Sequence, residues 1–169
     1  MVVPEFFRTI EQTSLSRWIR DSHSVFGYYF FLLFHTLGLS LLVGASALVD
    51  LRILGAFGSA IPLRPLKRLF GIAWFGLSIM VATGVFLLIG YPTKALTNPV
   101  FYVKLLFVAL ALITMRRVST RVFDPSSLSE AIMIANGKTT AAWSLIFWIG
   151  AISAGRLLPE TYTYLIYGH

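Results

Sequence analysis

The chain has no cysteine and only 3 histidines. The first absence excludes disulfides, cysteine-ligated iron–sulfur clusters, covalent c-type haem and thiolate zinc sites, and it leaves the redox compartment open. Charge is scarce as well. Charged residues make up 12% of the 169-residue chain, about half the roughly 25% usual in a soluble domain. Acidic residues are scarcest, 7 against 14 Lys and Arg, and none lies within an apolar run. There is no Met-x-x-Met pattern either, so a small-solute or metal transporter is the weakest reading. No histidine, serine and carboxylate fall at one depth, which leaves acid–base or nucleophilic catalysis without support. The expectation is a non-enzymatic protein.

Long apolar runs are plentiful. The chain is 57% hydrophobic, with a mean hydropathy of +0.78. Its length allows about one domain. The net charge of +7 does not indicate nucleic acid, because the basic residues flank apolar runs as topology determinants do. The N-terminus lacks a basic region followed by an apolar one, so no cleavable signal peptide is expected.

Four runs are long enough to cross a bilayer: residues 26–49, 69–91, 99–115 and 139–158. The predicted fold is all-α, a four-transmembrane-helix bundle. Residues 1–25 mix Phe6, Phe7, Ile10, Leu15, Trp18 and Ile19 with Arg8, Glu11, Arg17, Arg20 and Asp21, which predicts an N-terminal interfacial amphipathic helix. Thr36, Ser40 and Gly44 recur every fourth residue and predict a small-residue face on the first span; Ala73, Gly76 and Thr83 predict one on the second. Pro99 suits the first turn of the third span. That span should stop at Arg116 and Arg117. Asp124, Pro125, Ser126 and Ser127 read as a turn, and a short surface helix over residues 128–135 should end at Asn136 and Gly137. Residues 159–169 form an aromatic tail suited to the interface. The two predicted hairpins show no internal repeat.

Four spans put both termini on one side. The loops after the first and third spans hold Arg52, Arg64, Lys67, Arg68, Arg116, Arg117, Arg121 and Lys138; the other side holds Arg8, Arg17, Arg20, Lys94, Lys104 and Arg156. By the positive-inside rule the first set is cytoplasmic and both termini face out.

This topology places His35 about 12–14 Å below the outer boundary. Thr83, Gly84 and Gly150 fall at matching depth, with Lys104 and Arg156 nearer the surface. Two readings stay open. In one, His35 ligates a haem b iron or hydrogen-bonds a quinone, Thr83, Gly84 and Gly150 leave room for a flat ring, and Lys104 and Arg156 meet propionates or lipid phosphates. In the other, His35 bonds Thr83 or a carbonyl and holds helices together, while the two cations snorkel. His23 lies about 18 Å of rise from His35 and cannot share an iron with it on a straight helix. A second axial ligand would have to be His169, a non-histidine group or a partner's residue. Asp50, Leu51 and Arg52 read as an interfacial ion-pair anchor.

His35 and Gly38 leading into Leu41-Leu42-Val43-Gly44, then Asp50-Leu51-Arg52 with Leu54-Gly55, form a pattern that resembles a group of small, functionally uncharacterised four-helix bacterial inner-membrane proteins. Thr83-Gly84, Asn98-Pro99 with Phe101 and Lys104, and Gly155-Arg156 fit the same pattern, which covers residues 18–158. The third span also resembles, distantly, the copper-resistance D-type membrane domain, but lacks its copper-ligand methionines and histidines. The resemblance implies the four-helix fold and a bacterial inner membrane. Taken with the site residues, the expected function is a non-catalytic subunit of redox machinery, its partners the lipid bilayer and other membrane subunits or a second copy. A purely structural or assembly subunit is the alternative.

Overall fold

The computed structural model describes residues 5–21, 27–123 and 129–167. Phe26, His23, His169 and the expected turn from Asp124 to Ser127 lie outside them. Seven α-helices follow in order: α1 (Glu5–Glu11), α2 (Ser14–Asp21), α3 (Tyr28–Leu54), α4 (Leu69–Gly90), α5 (Pro92–Leu96), α6 (Pro99–Phe123) and α7 (Glu130–Tyr167). Short 3₁₀ turns at Gly58–Ala60 and Arg64–Arg68 join α3 to α4. Four stretches are long and apolar enough to cross a membrane: Tyr28–Leu54, Arg64–Gly90, Pro99–Phe123 and Glu130–Tyr164. Their outward surfaces carry Leu33, Phe75, Leu106 and Ile149, all exposed, as a face in contact with lipid requires. The chain is a multi-pass helical membrane protein.

The bundle is built from two hairpins. α3 packs mainly on α4, α6 mainly on α7, and α3 against α7 joins the pairs. The α3–α4 contact is backbone on backbone. A Cβ on Gly38 would stand 2.8 Å from Gly76 O, and one on Gly76 would stand 2.7 Å from Gly38 O. The predicted face of Ala73, Gly76 and Thr83 is buried as expected. The stripe of Thr36, Ser40 and Gly44 is not the contact face. The two hydroxyls bond carbonyls one turn back, to Leu32 and Thr36, at 2.9 Å each, and nothing approaches Gly44 within 4 Å. Gly38, Leu42, Ala45, Ser46, Val49, Asp50 and Ile53 form the buried face instead.

Helix ends depart from the predicted ones in three places. α6 runs on to Phe123, because Ala111, Met115, Val118 and Val122 continue its buried stripe past the arginines. Arg116 and Arg117 are exposed on that extension. They mark where charge becomes tolerable, not where the helix stops. The surface helix expected to end at Asn136 and Gly137 is the first part of α7. Gly137 is a packing residue, since a Cβ there would lie 3.0 Å from Ile53 Cγ2 and from Val122 Cγ2. The aromatic tail continues α7 through Pro159. At 38 residues, α7 is about 57 Å long and overruns a roughly 30 Å hydrocarbon core.

α3 ends in a Schellman motif: Gly55 at φ 100° donates its N–H to Arg52 O, and Ala56 N–H reaches Leu51 O at 3.0 Å. At the other end of the bundle the single interfacial helix is two helices. They are docked on protein rather than resting on lipid alone. Ile19 is buried over Gly90, Ser16 Oγ donates to Gly90 O at 3.4 Å, and Thr93 N–H donates to Glu11 Oε1 at 3.3 Å. Asn98 is fully buried here. Its Oδ1 accepts from Val100 N–H at 3.0 Å, capping α6, while its Nδ2 donates to Leu158 O and Thr161 Oγ1 on α7. This capped end carries α1, α2 and the C-terminal turns of α7. The opposite end carries Arg52, Arg64, Arg68 and Arg116 and is called the basic end below.

Candidate functional site

The capped half of the bundle holds most of the expected site. His35 projects from α3 onto α4, and its Nδ1 lies 3.2 Å from Thr83 Oγ1. A Cβ on Gly84 would stand 3.1 Å from His35 Cε1, so the imidazole fills the space that this glycine leaves. The direction of the hydrogen bond follows from the proton count. Thr83 Oγ1 has a single proton and spends it on α4's own backbone, 2.7 Å from Ile79 O and 3.3 Å from Met80 O. His35 Nδ1–H is therefore the donor to Thr83. The neutral ring is the Nδ1–H tautomer, assigned from this network. Nε2 keeps its lone pair and has no hydrogen-bond partner among the described residues.

Lys104 reaches the same region from α6. Its chain runs over Gly155 of α7, with Nζ 3.9 Å from where a Cβ would sit, and its charge acts on His35. Among the described residues it forms no ion pair and no hydrogen bond. His35, Thr83, Gly84 and Lys104 thus come together. Two expected members do not join them. Gly150 leaves no slot for a flat ring, because the Phe107 ring lies on it, 2.8 Å from where a Cβ would be. Arg156 is exposed on α7. Gly84 is thus filled by His35 and Gly150 by Phe107.

The basic half contains a second polar group, one that sequence reasoning missed. Asp50 and Arg52 do not pair. Arg52, 3% exposed, binds Glu130 of α7 and donates Nε–H to Ile61 O. Asp50, 1% exposed, turns into the α3–α7 seam toward Ser144 of α7. One turn deeper, Trp148 Nε1–H donates to Ser46 Oγ at 3.2 Å. The signal was present in the helical register. Ser46 and Asp50 are four apart on α3, Ser144 and Trp148 four apart on α7, and residues four apart share a face. Among the described residues no three His, Asp or Glu side chains converge as a metal site would require.

Comparison of the chain with protein-family models, with curated proteins and with solved structures found no match.

Proposed function

We propose that the chain is a non-catalytic, multi-pass subunit associated with electron-transfer machinery, and that His35 offers its Nε2 to a bilayer-soluble quinone in the reduced, quinol form. One observation carries the reading: Thr83 gives its proton to its own backbone, so His35 spends Nδ1–H on Thr83 and leaves Nε2 an acceptor. An acceptor fits a quinol hydroxyl and does not fit a quinone carbonyl, which needs a donor. Lys104, half-buried over Gly155, would be a positively charged donor for the ligand's other oxygen. A half-buried ring between lipid-facing residues suits a ligand that arrives through the bilayer. The quinol reading is preferred to haem because the slots expected at Gly84 and Gly150 are filled by His35 and Phe107. A bacterial inner membrane, with the basic end cytoplasmic and both termini outside, is proposed from the distribution of Lys and Arg and the family resemblance.

A second reading, a purely structural or assembly subunit, is favoured by the packing of His35 on Gly84 and its bond to Thr83. Together these already explain a histidine that ties α3 to α4. The two separate on purification from membranes and extraction of bound lipophilic ligand. Quinone in near-stoichiometric yield, lost in His35→Ala with the fold intact, supports the first. A quinone-free wild-type chain that binds no added quinol overturns it and leaves the second. A Soret band lost in His35→Ala would instead restore haem.

A further inference from the structure

Asp50 is a carboxyl in a membrane-spanning helix, 1% exposed, and its Oδ2 has no hydrogen-bond partner. Ser144, across the seam on α7, is fully buried, and its Oγ also lacks one. The two groups face each other. Either orphan alone would cost on the order of 1–3 kcal/mol, more for a charge. An ionised carboxylate here would also be uncompensated. On α3 its neighbour Arg52 is held by Glu130 and Ile61 O; α4 has no charged residue; Arg116, Arg117 and Arg121 of α6 and Lys138 of α7 are exposed.

We infer that Asp50 is an exchangeable proton site inside the bundle, with Ser144 Oγ as the acceptor for the acid's O–H. Taking up one proton turns the carboxylate into a neutral acid. That makes Oδ2 a donor to Ser144 Oγ; the ionised form could take only the Ser144 O–H in return and would keep a buried charge, which protonation removes. A divalent cation is the poorer occupant, since it takes six or more oxygen ligands, and no cluster of acidic and histidine side chains forms here among the described residues. Exchange has a short path. Four residues, about 6 Å of helical rise, separate Asp50 from the end of α3. At that end Glu130, 40% exposed, covers the seam through its pair with Arg52. The inference stands independently of the His35 reading, because the two sites lie in opposite halves of the bundle.

The test is infrared difference spectroscopy on the full chain in phosphatidylcholine vesicles, cycled between acid and alkaline buffer. A carboxylic-acid C=O band should be present at neutral pH, bleach reversibly in alkali and vanish in Asp50→Asn. In Ser144→Ala, which keeps the carboxyl and removes its acceptor, the band should move to higher frequency. A hydrophobic carbodiimide, which adds to protonated carboxyls in lipid, should modify Asp50 at neutral pH and fail to do so in alkali, as located by mass spectrometry. Carboxylate bands alone at every pH, an acid band that survives Asp50→Asn, or one that ignores pH would overturn the inference. If Asp50→Asn does not fold, the Ser144→Ala spectrum decides, and an unmoved band overturns it.

Discussion

The two halves of the bundle handle the polar group they bury on the first long helix in opposite ways, although Thr93 Oγ1 at the capped end also lacks a partner. In the capped half, His35 and Thr83 satisfy each other through Nδ1, and His35 and Lys104 stay half-buried. In the basic half the groups are more deeply enclosed, and two of their atoms go unmet at Asp50 and Ser144. Each half holds, on the first long helix, one ionisable group with hydrogen-bonding capacity unspent: His35 and Asp50. One has hydrogen-bonding capacity left over on a half-buried ring; the other has capacity left over in the protein interior. The first arrangement suits a ligand that arrives through the membrane, the second a proton.

The largest expected effect strikes the contact that serves both halves. Gly76→Leu drives a side chain into the α3 backbone, where a Cβ alone would already lie 2.7 Å from Gly38 O and Leu42 N. Overpacking typically costs about 1–3 kcal/mol and more where backbone must move. The expected result is loss of folded protein, seen by size-exclusion chromatography and thermal unfolding in detergent. Gly44→Leu, at an open lipid-facing position, should leave both unchanged. Next comes Glu130→Gln, which strips the partner from the nearly buried Arg52 guanidinium. The expected loss is about 3 kcal/mol in denaturant unfolding, the cost of a buried charge left unpaired. Replacing both by Met and Gln should recover most of it.

These first effects show which features could be read from residues alone. The four spans were legible because continuous apolar runs admit few other interpretations in so weakly charged a chain. Helix ends were not. Arg116 and Arg117 announce the lipid boundary, but α6 continues for as long as Val118, Val122 and Phe123 have a buried face to meet. Gly137 resembles a stop signal and is a point of close packing. Thr36, Ser40 and Gly44 form a stripe as regular as any contact face, yet their side is exposed; only the partner helix decides which small residue counts, and α4 meets Gly38. His35 and Thr83 were found by counting depth, because both lie within straight spans. Asp50 was missed because Arg52 is two positions away in the chain. Residues two apart on a helix point to different faces, so nearness in sequence suggested a pair that helical geometry forbids.

Two smaller changes sharpen the contrast between the halves. Thr83→Val removes a met hydrogen bond, so it should destabilise the chain by about 1 kcal/mol and lower quinol affinity by freeing the imidazole to rotate. Thermal unfolding and ligand titration check the two parts. Ser144→Ala removes the acceptor of the Asp50 O–H and leaves a buried donor unmet, so it should destabilise the chain by about 1 kcal/mol at neutral pH. A Ser144→Ala chain as stable as the wild type would argue against a hydrogen bond at the Asp50 site.

The most direct measurement is the nitrogen NMR spectrum of the ¹⁵N-histidine-labelled chain in lipid, with His35 assigned by its absence in His35→Ala. The expected result is a neutral ring with a protonated Nδ1 and a bare Nε2, and an Nε2 resonance that moves when a short-chain quinol is added. A ring protonated at Nε2, or an Nε2 signal indifferent to quinol, would contradict it.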